Sequence, residues 1–168
     1  YLVKAVSDRV GTVELTRDTS ETGREINKNT SRSTHFAVIV MREEDKADAK
    51  RSFRTPLIFS VQEAKGLEYE NIVLLNCLSN NAGAFDEITA GVTADDMNRE
   101  LRYARAGDKS DKSLEAYKFY TNALYVALTR AVQNVYLIES HTRHRLWSLL
   151  GLAEMKSAVT VKAASSSE

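Results

Sequence analysis

The chain has 168 residues, 43% of them hydrophobic, and its 23 Lys+Arg balance 23 Asp+Glu to a formal net charge of zero. That length fits one domain with a core of ordinary size, and the hydrophobic content excludes an intrinsically disordered chain. Zero net charge removes bulk electrostatics as an argument for a nucleic-acid partner, which would need a local basic face instead.

Residues 1–8, YLVKAVSD, predict a short first helix, and residues 13–17, VELTR, a short strand. Residues 21–34, ETGREINKNTSRST, are polar without an apolar stripe and predict a partly helical connector. HFAVIVM at 35–41 is a continuous apolar, β-branched run, the pattern of a strand buried on both faces. REEDKADAKRSF at 42–53 mixes charges at helical spacing and predicts an amphipathic helix with a solvated face, ended before Thr55-Pro56. LIFSV (57–61), NIVLLN (71–76) and VYLIE (135–139) predict further buried strands. Strands of this kind separated by helices argue for an α/β fold with a parallel sheet flanked by helices.

The single cysteine, Cys77, excludes a disulfide framework and reads as a buried thiol in a reducing, cytoplasmic setting. No apolar run approaches the ~20 residues of a membrane span, no signal peptide opens the chain, and no membrane partner is expected. Residues 79–111 turn rich in Asn, Gly and Asp and predict an expanded loop or helical insertion, with one helix near DDMNRELRYA (95–104). The acidic residues there, Asp86, Glu87, Asp95 and Asp96, argue against nucleic acid docking at that segment. Periodicity returns at SLEAYKFYTNALYVALTRAV, where Leu114, Tyr117, Tyr120, Leu124, Leu128 and Ala131 mark one face of a long helix. The domain is expected to span 1–156, with its core in 35–78 and 112–150, and residues 157–168 as a frayed tail.

Several residues carry chemistry. Gln62-Glu63-Ala64-Lys65-Gly66-Leu67-Glu68 forms a polar knot between two buried strands. It leaves the carboxyl end of strand 57–61, where ligands sit in open α/β sheets. Gly66 allows close approach of backbone to a ligand, Lys65 offers a positive charge, and Glu68 an acceptor fit for a sugar hydroxyl. A plain surface turn accounts for these residues equally well. The knot is not a phosphate-binding P-loop, because the G-x-x-x-x-G-K-[ST] pattern occurs nowhere in the chain. No strand ends in the Asp-Glu pair that would hold Mg²⁺.

Thr129 and Arg130 end the long helix, and an Arg on an apolar helix end calls for a carboxylate or a phosphate. His141 and His144 stand at i, i+3, without a third ligand for zinc. They and Arg143 and Arg145 read as a solvated polar helix face, or as a phosphate-backbone contact. Trp147 reads as core. No metal site is expected.

AKGLEYENIVLLN resembles motif V, and NALYVALTRAVQNVYLIE resembles motif VI, of superfamily 1 helicases of the UvrD/Rep type. In that family the two motifs lie in this order on the second RecA-like domain, 2A. HFAVIVMRE with its following helix is similar, more loosely, to the strand-helix unit before motif V. The resemblance is specific over 57–76 and 122–139 and absent over 1–34 and 79–116.

It implies a RecA-like, P-loop NTPase-like sheet without its own P-loop, forming the C-terminal half of an ATP-dependent DNA helicase or translocase. It also implies that Arg130 is an arginine finger on the ATP γ-phosphate and that Glu68 binds the ribose. Lys65 and Gly66 would form the loop between nucleotide and single strand. Gln62 stands where many members carry His, in contact with the nucleic-acid backbone, and Tyr125 and Thr129 would support the helix. Thr121-Asn122 stand where many members carry an Arg pair, which puts any salt-bridge support of motif VI in doubt. The implied cofactor is ATP with Mg, the Mg ligands lying on an N-terminal RecA-like domain expected before Tyr1. The implied nucleic-acid partner is single-stranded or partly duplex DNA. The inserted 2B domain of such enzymes is expected to be absent or reduced. A helicase-like module that has lost catalysis and serves as a binding or scaffold domain is the other expectation.

Overall fold

The computed structural model describes residues 11–98 and 113–155. The predicted helix over 1–8 and the tail from 157 lie outside them, as does most of the helix predicted near 95–104. Five strands form one sheet: β1 (Val13–Arg17), β2 (Phe36–Val40), β3 (Ile58–Ser60), β4 (Tyr69–Leu75) and β5 (Ala131–Glu139). Their order across the sheet is β1-β5-β4-β2-β3, and every pairing is parallel. Val38 sits between Ile58 and Val73, Val73 opposite Tyr136, and Leu137 opposite Leu15.

The apolar runs are strands because both faces of this sheet are covered. Side chains alternate across a strand, so each run feeds two cores. Ile39, Ile72, Leu74, Val135 and Leu137 enter one core, and Val38, Val40, Val73, Leu75, Tyr136 and Ile138 the other. Helices α1 (Ser20–Thr30) and α2 (Lys46–Ser52) cover the second face through Ile26 and Ala49. The first face is covered by α3 (Ala82–Thr89), α5 (Ser113–Leu128) and α6 (Arg145–Leu149), with the knot loop beside them. A short helix, α4 (Ala94–Met97), stands on the surface behind a capping box of Thr93 and Asp96.

Two segments differ from the sequence reading in an instructive way. Helix α1 forms from residues that show no apolar stripe. Its inward face is Thr22, Ile26 and Thr30, buried at i, i+4 and i+8. Threonine methyls stand in for hydrocarbon, so hydropathy hides the helical period. Its start is fixed by Thr19, whose hydroxyl accepts from the Thr22 amide at 3.1 Å. Helix α2 begins at Lys46 rather than Arg42, since Arg42 to Asp45 form a turn closed by Asp45 N–H on the Arg42 carbonyl.

Residues 79–98 are also more than an inserted loop. A 3-10 turn (Ser79–Asn81) leads into α3, and Leu78 and Phe85 are fully buried in the first core. The long helix predicted through residue 132 stops at Leu128, and Ala131 already belongs to β5. Trp147 and Cys77 are buried, as expected. No helix among the described residues is long and apolar enough to cross a membrane.

Candidate nucleotide and nucleic-acid site

The knot begins at one edge of the sheet and ends at the other. Val61 donates to the Val40 carbonyl, which places Gln62 at the carboxyl end of β3. The chain then makes a helical turn across β2, with Ala64 N–H on Ser60 O at 2.9 Å and Leu67 N–H on Ala64 O at 3.0 Å. Ala64 is buried and anchors the turn in the first core. Gly66 has φ +87°, a left-handed conformation that favours glycine, and a Cβ there would meet nothing within 4 Å. Its glycine is set by backbone geometry, and the space over it is open. Gln62, Lys65 and Glu68 are all exposed.

Leu67 and Glu68 therefore lead into the amino end of β4, and there Leu67 and Tyr69 meet Arg130. Tyr69 N–H donates to the Arg130 carbonyl at 3.0 Å, and Arg130 Nη1 donates to the Leu67 carbonyl at 3.2 Å. Arg130 Nε donates to Val126 O at 3.1 Å and Nη2 to Thr129 Oγ1 at 3.3 Å. A guanidinium carries five N–H groups. Three are engaged in these bonds, which leaves two without a partner among the described residues. Among the described residues no carboxylate makes an ion pair with Arg130.

Thr129 ends α5 by donating from Oγ1 to Tyr125 O at 2.9 Å and to Val126 O at 3.1 Å. Tyr125 contributes that carbonyl, while its ring is 61% exposed and packs little. The structure thus brings Gly66, Glu68, Thr129 and Arg130 to the amino edge of the sheet and leaves Gln62 at the carboxyl edge. The rule that ligands lie outside carboxyl ends describes only the first residues of the knot.

Two further groups hold the knot. Glu63 turns back so that its Oε2 accepts from Ser60 N–H at 2.9 Å and from Ser60 Oγ at 3.2 Å. Lys46, at the start of α2, donates to both Glu63 oxygens at 2.8 Å and pairs with Glu43 at 2.9 Å. The Lys46 ammonium holds the Glu63 carboxyl below its usual range, and the carboxylates raise Lys46 in turn. Glu63 lies in the knot itself, but nothing in the sequence joined it to a lysine seventeen positions upstream.

Glu139 was also missed. It closes β5, is fully buried, and accepts from Leu78 N–H at 3.0 Å, Ser79 N–H at 2.9 Å and Ser79 Oγ at 2.5 Å. Burial pushes its carboxyl above the usual range. An acid ending an otherwise apolar strand is the signal that could have found it. Beside it Asn76, at φ 47°, donates to Asp18 at 2.7 Å and accepts from Ser140 N–H at 2.7 Å, tying the carboxyl ends of β1, β4 and β5.

His144 is not on a solvated face. Its Nδ1 accepts from Leu146 N–H to cap α6, and Nε2 pairs with Asp86 at 3.0 Å. His141 and Arg143 are exposed. Among the described residues no group of three His, Cys, Asp or Glu side chains is placed to hold a metal ion.

Comparison of the chain with protein-family models, with curated proteins and with solved structures gives no match.

Proposed function

We propose that this chain is the second RecA-like domain, 2A, of a UvrD/Rep-type superfamily 1 DNA helicase or translocase. The supporting observation is the bond from Arg130 Nη1 to the Leu67 carbonyl, which joins the two stretches that resemble motifs V and VI. Residues 63 positions apart come together at one sheet edge, and both stretches present polar groups there.

In this reading Arg130 is the catalytic residue. Its two remaining N–H groups face a γ-phosphate held by an N-terminal RecA-like domain and stabilise charge as the phosphoryl group transfers. Glu68 accepts from the ribose hydroxyls, and Gly66 keeps the backbone clear for the nucleotide. The Mg accompanying ATP neutralises phosphate charge and is held by the N-terminal domain. Gln62 and Lys65 contact the backbone of single-stranded DNA, so one loop senses both ligands. Closing and reopening of the cleft then moves the strand past Gln62 in a cytoplasmic motor.

Glu68→Ala in a longer protein carrying this chain tests the nucleotide half. Loss of a ribose contact raises KM for ATP several-fold with kcat largely kept. An unchanged KM removes Glu68 from the site.

A second reading, a helicase-like scaffold without catalysis, is favoured by one observation. Arg130 spends three bonds on its own chain, the behaviour of a helix-end cap. A longer protein lacking G-x-x-x-x-G-K-[ST] would decide for it.

A further inference from the structure

Neighbouring strands send the chain to opposite faces of the sheet at two places. β1 runs on into α1, whose Ile26 packs in the second core, while its neighbour β5 runs on into α6, whose Trp147 packs in the first. β2 and β4 part in the same way, toward α2 and α3, and there Asn80 Nδ2 donates across the gap to Asp45 at 2.9 Å. Such a divergence opens a crevice outside the carboxyl ends of the strands, the place where open α/β sheets bind ligands.

Between β1 and β5 that crevice is a cavity of about 480 Å³, a size that suits a small molecule. It is lined by Arg17 of β1 and by residues 140–144, the loop that follows β5. Most of the polar side chains in its walls are spent within the chain. Arg17 donates to the two Glu154 oxygens at 3.2 and 3.1 Å and to Thr142 Oγ1 at 3.1 Å. Thr142 donates to Glu154, Ser140 Oγ bonds to Asn76 Oδ1 at 2.9 Å, and both ring nitrogens of His144 are engaged.

His141 and Arg143 differ. Both are exposed, and neither side chain makes a hydrogen bond or an ion pair among the described residues. The backbone amides of Thr142 and Arg143 also have no acceptor among them. No Asp or Glu lines the cavity. Glu154 is close enough to feel the charge of Arg143, but it is held by Arg17 and Thr142. The unspent groups are therefore donors: a guanidinium, an imidazole and two amides. The several oxygens of a phosphate can use such a set together, whereas a carboxylate offers two.

We propose that this crevice binds the phosphate group of a small molecule, with Arg143 and His141 as its main contacts. Asp86 and Glu154, each paired with a lining residue, oppose a nucleic-acid strand, whose successive phosphates must pass them, more than a single anion held inside. The site stands at the edge of the sheet opposite Arg130 and is independent of whether the chain acts on ATP.

The test is an NMR titration of the 168-residue chain, read at the backbone amides of residues 140–144. Inorganic phosphate should give shifts that saturate with a Kd below about 10 mM, while potassium chloride at matched ionic strength gives none that saturate. Acetate should bind at least about tenfold more weakly than phosphate. Ribose 5-phosphate separates the two sources: tighter binding than inorganic phosphate assigns the site to a phosphate ester, and no gain assigns it to the free ion. Arg143→Ala with His141→Ala should weaken phosphate at least about tenfold while the Tm stays within about 2 °C of the parent, since both side chains are exposed. Shifts that do not saturate, acetate binding as tightly, or binding untouched by the two substitutions overturns the proposal. So does an oligothymidylate of about ten nucleotides that binds through these residues more tightly than either phosphate, by assigning the crevice to a strand.

Discussion

The Arg130 guanidinium and the Leu67 carbonyl meet at 3.2 Å, joining the end of α5 to the loop entering β4. The backbone bond from Tyr69 N–H to Arg130 O runs beside it at 3.0 Å. One residue therefore ties loop to helix through both its main chain and its side chain. Only the side-chain bond can be released by a ligand without breaking the sheet. Arg130→Ala in the isolated chain should cost about 1–2 kcal/mol, the scale of partly exposed hydrogen bonds from a charged donor. Arg130→Lys should recover little, because an ammonium lacks the planar fork that reaches several acceptors at once. Urea unfolding followed by Trp147 fluorescence measures both, and a cost near zero would mean that the bond is not maintained in solution.

The Lys46–Glu63 pair makes a local prediction. Glu63 sits below the ordinary carboxylate range because Lys46 donates to it, with help from the Ser60 amide. A depressed folded-state pKa contributes stability above the unfolded value and loses it as pH falls through the folded one. Lys46→Ala should return the Glu63 titration, followed by NMR of the side-chain carboxyl, toward its ordinary value. Global stability should change little, since Glu63 is 43% exposed and the pair is screened by solvent on that side. An unmoved titration would leave the Ser60 contacts as the holder of the loop.

Glu139 behaves in the opposite sense. Burial raises its folded-state pKa, so its contribution is full below the unfolded value and is lost as pH rises through the folded one. Glu139→Gln removes that titration and one of the acceptors serving Leu78 and Ser79. The variant should be less stable by about 1–3 kcal/mol at mildly acid pH. The gap to the parent should narrow as pH climbs just past the ordinary carboxylate range. Denaturant titrations at a series of pH values read this directly, and a gap that widens with pH would contradict it.

Much of the sheet was legible because its signal is local. A buried parallel strand must be apolar at every position, and FAVIV, IVLL and VYLI are. Order across the sheet was not legible, because the pairing of β1 with β5 joins residues over a hundred positions apart. Helix α1 reads from sequence only as a partly helical connector, because two of the three residues on its inner face are threonines. The knot was seen as a loop with chemistry, but its span from carboxyl to amino edge depends on a crossover that residue types do not encode. Thr129 and Arg130 were placed at a helix end, while their partners, carbonyl oxygens of Leu67, Tyr125 and Val126, leave no trace in side-chain sequence.

Phe85 marks the clearest shift of view. Its segment has the composition of a surface insertion, yet the ring is 1% exposed and packs edge-on to Tyr120 at 5.7 Å. Phe85→Ala should cost about 3–5 kcal/mol, as large-to-small changes in cores do. A cost below about 1 kcal/mol would return residues 79–89 to the status of a dispensable loop.

In the proposed motor Arg130 acts on a nucleotide held by another domain. The most direct measurement is ATP turnover, with and without single-stranded DNA, by the 168-residue chain and by a longer protein carrying it, each with Arg130 and with Arg130→Ala. The proposal predicts no turnover by the chain alone, and a DNA-stimulated activity of the longer protein that falls by ~10³–10⁵ when Arg130 is removed. Turnover by the isolated chain that Arg130→Ala leaves intact, or a longer protein indifferent to the substitution, would contradict it.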